Sequence, residues 1–158
     1  MPPDPIRFYS VADPFGEFSN FARYPVTIGG TTYPTSEHYF QAMKFAGTPH
    51  ADAVRRAKTP MLAARTGRRR SRPLRRDWER VKDGVMLAAV RAKFTQHADL
   101  RALLLSTGDA AIIEHTENDA YWGDGGDGSG QNMLGRILVR VREELRAGSR
   151  VQRDEDAP

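Results

Sequence analysis

Val26-Thr27-Ile28-Gly29-Gly30-Thr31-Thr32-Tyr33-Pro34-Thr35-Ser36-Glu37-His38-Tyr39-Phe40-Gln41, residues 26–41, turns from a strand signal to a helix signal within a few positions. Val26-Thr27-Ile28 and Thr31-Thr32-Tyr33 are β-branched or aromatic and flank Gly29-Gly30, which predicts a two-residue hairpin. Pro34 breaks the strand. Thr35 or Ser36 offers a hydroxyl for the first free amides of a helix, expected from about Glu37 to Phe45 and stopping near Gly47. A hairpin that feeds straight into a helix is not a βαβ unit, and that decides the fold class.

Outward from this stretch, Ile6-Arg7-Phe8-Tyr9-Ser10 reads as a short strand. Thr59-Pro60 predicts a helix start with Pro in the first turn, and that helix ends at Gly67. A long helix begins near Asp77, with Trp78, Val81, Val85, Ala88, Ala89 and Ala92 along one stripe. Leu100, Leu103 and Leu104 mark a helix over 98–105, closed by Gly108. Ala111-Ile112-Ile113-Glu114 reads as a strand. Leu134, Ile137, Leu138, Val141 and Leu145 give the clearest helical period, over about 132–145. Helices outnumber strands without βαβ alternation, so the expected fold is α+β: a compact, helix-rich single domain over 5–147. The termini, 1–4 and 148–158, are expected to be disordered.

The chain has 158 residues, 39% hydrophobic and 28% charged, which suits one globular domain. No apolar run approaches the roughly 18 residues of a membrane span, and residues 1–7 carry no secretory apolar core. The expected location is the cytoplasm, with no membrane partner. Cysteine is absent, which excludes thiol nucleophiles and thiolate metal sites. The net charge is +4, and seven arginines crowd 65–76. Such a run either meets an anionic partner or is simply a solvated basic face.

Two segments stand apart from scaffold. In 35–45, Glu37, Gln41 and Lys44 share a helix face, while Tyr39, Phe40 and Met43 serve the core. Glu37 sits in the first turn, where the helix dipole favours an ionised carboxylate suited to a general base or to stabilising a cation. It is also where ordinary surface glutamates sit. In 114–132, five glycines fall among Gly123–Gly130, beside Tyr121, Trp122 and Asp124. Glycine permits close approach of a ligand, and the N-terminal amides of the helix that follows are an expected anion site. The alternative is a mobile surface loop, against which the large aromatics argue, since a pocket stacks planar bases on them. The loop lacks the Walker and Rossmann patterns and a calcium loop's terminal Glu. His38, His50, His97 and His115 are scattered, so no metal centre is expected and each histidine is taken as structural or exposed.

Phe8-Tyr9-Ser10, Phe18-Ser19-Asn20-Phe21, Tyr33 through Gln41, Lys44-Phe45, Arg69-Arg70-Ser71 with Leu74-Arg75-Arg76-Asp77-Trp78, and Asn118 through Gly126 together resemble the NADAR family, close to its YbiA-like branch. The resemblance runs from about Ile6 to Leu145. It implies a helix-rich α+β fold and N-glycoside hydrolysis without a cofactor. It implies functional roles for Glu37, Trp78, Trp122 and Asp124. For the YbiA-like branch the implied substrates are phosphoribosylamino-pyrimidine intermediates of riboflavin synthesis, releasing ribose 5-phosphate. Other members act on ADP-ribosyl-guanine in DNA. A non-catalytic reader of ADP-ribose or NAD, and a plain basic nucleic-acid binder, are the rival expectations.

C1′–N cleavage passes through an oxocarbenium-like state and needs negative charge near C1′, an oriented water and a proton for the leaving base. Glu37 and Asp124 are therefore the expected catalytic carboxylates. Asp124 either holds ribose hydroxyls or assists proton transfer. Trp78 and Trp122 are expected to stack on base or ribose. Arg69, Arg70, Arg75, Lys44 and the loop with Gly123 and Gly125 are the expected phosphate contacts, and Asn20 and Asn132 further polar ones.

Overall fold

The computed structural model describes residues 2–155, the side chains of 151–154 excepted. The chain divides into two units, 17–93 and the remainder.

In 17–93 the hairpin forms as read. β2 (Val26–Ile28) and β3 (Thr31–Tyr33) pair antiparallel, Val26 opposite Tyr33 and Ile28 opposite Thr31. Gly29 and Gly30 both take positive φ, 61° and 80°, as this tight turn requires. Alternation turns Val26 and Tyr33 inward. α1 (Ser36–Met43) follows, with the Thr35 hydroxyl accepting from His38 N at 3.1 Å. α2 (Pro49–Arg55), α3 (Pro60–Arg68) and α4 (Trp78–Gln96) complete the unit, α4 continuing past its boundary. α2 was not expected. Val54 is its one buried residue, so it shows no period.

α1 packs against α2, α3 and β3. The core joins Val26, Tyr33, Tyr39, Ala42, Phe45 and Ala89, with Val85, Ala88 and Ala92 of α4 packed on it. The stripe read on α4 is the face that makes this contact. Each large apolar side chain so buried contributes roughly 1.5–3 kcal/mol. Ser36 through Ala42 are all buried, so the polar face of α1 is enclosed together with its apolar one.

In the other unit β1 (Ile6–Phe8) pairs parallel with β4 (Ile112–Glu114), Ile6 opposite Ile112. α5 (Ala98–Ser106) and β4 both pack on α6 (Met133–Glu155). Leu134, Ile137, Leu138, Val141 and Leu145 are buried, as their period requires. α6 does not end at Leu145; it runs through Gly148, where disorder was expected, to Glu155. Arg101 of α5 donates to Ser149 Oγ at 2.9 Å, and Arg146 to Asp109 at 3.0 Å, which hold the added turns. Met1 and 156–158, part of the expected tails, lie outside the described residues. Helices and a few short strands give an α+β fold, as expected.

Candidate active site

Glu37 enters the first turn of α1 with its amide donating to Asn20 O at 3.2 Å. It is 7% exposed, so it is not the surface glutamate its position alone allows. Four residues on, Gln41 Nε2 donates to Glu37 Oε1 at 2.8 Å. Asn20 is committed to the frame: its Oδ1 accepts from Ser36 Oγ at 2.7 Å, and its Nδ2 meets Met86 Sδ at 3.3 Å. Asn20, read from the sequence as a polar contact, lies beneath Glu37 in the frame of α1.

Lys44, three residues beyond Gln41, is 7% exposed. Its Nζ lies 5.8 Å from the ring centroids of both Phe40 and Trp78, which themselves sit 5.1 Å apart. Nζ donates to Gly67 O at 3.5 Å, and Arg70 reaches the same carbonyl at 3.1 Å. Burial, with Arg70 adding to it, pushes the ammonium down to about 8, against the pull of the Glu37 carboxylate. Two cations thus converge on one carbonyl near the buried Glu37 carboxylate. Arg75 is not among them. Its guanidinium pairs with both oxygens of Asp77 at 2.6 and 3.0 Å and anchors on Met43 O. Arg69 is exposed at the end of α3. Trp78 is 5% exposed, so its ring is packed inside rather than presented as an open platform.

The loop 115–132 is organised from within. Asp119 Oδ1 accepts from the amides of Tyr121 and Trp122 at 2.9 and 2.8 Å. Trp122 is half-buried, edge-on to Tyr121 with centroids 4.8 Å apart. Gly123 has to be glycine because a Cβ there would press on Thr116 and on the carbonyls of Asp119 and Glu114. Gly125 takes φ 74°. Asp124 is 6% exposed and both its oxygens are engaged. Oδ2 lies 2.7 Å from His115 Nδ1, while Oδ1 accepts from Thr116 N at 3.0 Å and Gly126 N at 2.9 Å. Burial alone would raise its pKa. The bonds from His115, Gly126 and Thr116 outweigh that and hold the carboxyl below its ordinary range. These bonds favour the ionised form of Asp124 and shape the loop around it.

The anion site expected at the start of the last helix is closed. The amides of Asn132, Met133 and Leu134 donate to the carbonyls of Gly123, Tyr121 and Trp122. Asn132, at φ 52°, clamps β4 through Oδ1 from Glu114 N at 3.0 Å and Nδ2 to Ile112 O at 2.9 Å, so its amide is spent on the fold. Beside the loop lies an open pocket of about 470 Å³, lined among others by Arg7, His115, Asp124, Gln131 and Arg136.

Gln41 was read on the Glu37 face and His115 as structural or exposed, but neither was read as the partner of a carboxylate, Glu37 and Asp124 respectively. Gln41 was legible from its spacing to Glu37. His115 shows no local signal, because its link to Asp124 spans nine residues of irregular loop.

A sequence model of the NADAR domain matches residues 7–146. The chain is 59% identical to the N-glycosidase YbiA of Escherichia coli over 89% of this chain and 88% of that one. It is 46% identical to an N-glycosidase of Nostoc punctiforme, covering 89% and 92% of the two chains. It is 45% identical to a riboflavin biosynthesis protein of Vibrio vulnificus over 89% of this chain, matching 38% of that longer protein. The NMR structure of Escherichia coli YbiA superposes with a TM-score of 0.87 at 56% identity, covering 94% of this chain and 89% of that one.

Proposed function

Since the chain belongs to the NADAR family and is an N-glycosidase, we propose that it hydrolyses phosphoribosylamino-pyrimidines of early riboflavin synthesis, with Glu37 as the catalytic carboxylate. Water oxygen bonds to C1′ as the C1′–N pair leaves on nitrogen. Glu37 takes the water's proton, stabilises the oxocarbenium-like centre and passes that proton to the departing amine nitrogen, which leaves the carboxylate ionised again. Lys44 and Arg70 hold the sugar phosphate. In the other unit, Asp124 keeps the loop that carries Trp122 in shape.

The observation that carries this reading is the enclosed Glu37 carboxylate with an amide donor on one oxygen and a buried ammonium three residues beyond that donor. The riboflavin-linked name of the Vibrio relative supports the substrate class. The exposed Arg65, Arg68, Arg69 and Arg76 favour a second reading, ADP-ribosyl-guanine in DNA, whose backbone they would meet.

Offering both substrates to the wild-type protein and to Glu37→Gln, and following base release, tests both readings. Release of ribose 5-phosphate from the phosphoribosyl substrate is expected, with the variant slower by roughly 10²-fold or more. Turnover of the DNA substrate alone would overturn the substrate class. A Glu37→Gln protein at the wild-type rate would remove Glu37 from the chemistry.

A further inference from the structure

Gln41 is 3% exposed, and its two amide atoms are treated differently. Nε2 donates to Glu37 Oε1 at 2.8 Å. Oε1 is buried with no hydrogen-bond partner. Leaving such an acceptor unsatisfied costs about 1–3 kcal/mol. Turning the amide over would not relieve this, because it would set the oxygen against a carboxylate oxygen. The side chain is thus held in one orientation by Glu37, at a local cost in stability.

The second observation comes from another helix. Oε1 lies against Gly67, near the end of α3, and a Cβ on Gly67 would overlap Gln41 Oε1 and crowd its Cδ and Cβ. Gly67 does not have positive φ, so its backbone would accept alanine. Glycine is required there for space, and the space is filled by the Gln41 amide. The Gly67 carbonyl meanwhile receives Lys44 and Arg70. One glycine therefore seats both the amide behind Glu37 and the two cations beside it.

We propose that Gln41, seated against Gly67, is the positioning residue that holds the Glu37 carboxylate in its reactive orientation, and that its contribution is the hydrogen it donates. This rests on the reading of Glu37 as catalytic. What position 41 needs is a donor, so its substitutions differ in kind. Alanine removes the donor at every pH. Glutamate supplies one only while it shares a proton with the Glu37 carboxylate, because two adjacent carboxylates resist joint ionisation.

The test measures kcat and KM against pH for Gln41→Ala, Gln41→Glu, Gly67→Ala and the Gly67→Ala/Gln41→Ala pair, each with its thermal midpoint. Gln41→Ala is expected to lose kcat by about 10-fold or more at all pH, with KM little changed. Gln41→Glu is expected to approach wild type at low pH and to lose kcat as pH rises, a limb the wild type lacks. Gly67→Ala is expected to lower kcat on its own and to add no further loss once Gln41 is alanine. Unchanged kcat in the folded single variants, or a Gln41→Glu loss equal at every pH, would overturn the proposal. Glu37→Gln serves as the control: if it is fully active, the catalytic reading itself fails, whereas an inactive Glu37→Gln beside an active Gln41→Ala sinks only the positioning role.

Discussion

Lys44 sets beside the Phe40 and Trp78 rings, 5.8 Å from each centroid, an ammonium that burial pushes down to about 8. Below that pH it is charged and can hold a phosphate; above it the charge is lost. KM for a phosphorylated substrate is therefore expected to rise above about pH 8, approaching tenfold per unit if the charge is essential. Lys44→Arg, which stays charged, is expected to remove that rise. Steady-state kinetics between pH 6 and 10 decide the matter, and a KM flat through this range in the wild type would discard Lys44 as the phosphate contact. The limb falls in KM, whereas the one expected of Gln41→Glu falls in kcat, so the two are separable in one data set. At this scale the sequence was partly legible. Glu37, Gln41 and Lys44 share a face by spacing alone, but whether that face meets water or protein depends on α2 and α3, which no spacing within α1 reports.

Elements meet most closely where side chains are missing. Gly135, in the first turn of α6, faces Ile112 O of β4, and a Cβ there would overlap that oxygen and the Asn132 amide. Neither neighbour can withdraw cheaply, since one is backbone and the other clamps the strand through two hydrogen bonds. Gly135→Ala is expected to destabilise the protein by about 3 kcal/mol or more. Urea denaturation measures it, and a change below about 0.5 kcal/mol would show that α6 slides freely on the strand. Element types were readable wherever a period or a turn signal was strong, as in the hairpin and in α6. α2 was not, for want of a buried stripe. Nor was the parallel pairing of β1 with β4, because strands of three residues carry too little pattern to choose a distant partner.

For the molecule as a whole, stability should vary with pH through Lys93, a wholly buried cation. Its Nζ donates to Glu17 O at 2.5 Å and Ser19 O at 2.8 Å, tying α4 to the turn that leads into Asn20. Burial pushes its pKa down to about 7, with Glu17 opposing. The folded value lies below the unfolded one, so the unfolded chain binds more protons between about 7 and the ordinary 10.5. Stability must then rise with pH across that window, by up to about 1.4 kcal/mol per unit for this group. Lys44 adds in the same direction above about 8. Unfolding free energies at pH 7 and 9 for wild type and Lys93→Met should show the smaller rise in the variant; equal rises would mean Lys93 stays charged in the fold.

The sequence by itself determined the fold class, because hairpin glycines, helix caps and apolar periods act over a few positions; the family came from the resemblance that its motifs carry. It also placed Glu37 and Asp124 among the carboxylates to consider. Tertiary structure alone decided what each is free to do. Asp124 has both oxygens taken by His115 and two loop amides. The first amides of α6 are filled by carbonyls of the loop before it. Arg75 is spent on Asp77, while Arg70 and Lys44 share Gly67 O. The physical reason is that burial and hydrogen-bond saturation are set by whichever groups the fold brings within about 3 Å, and those partners come from elements whose separation in the chain bears no relation to their distance in space.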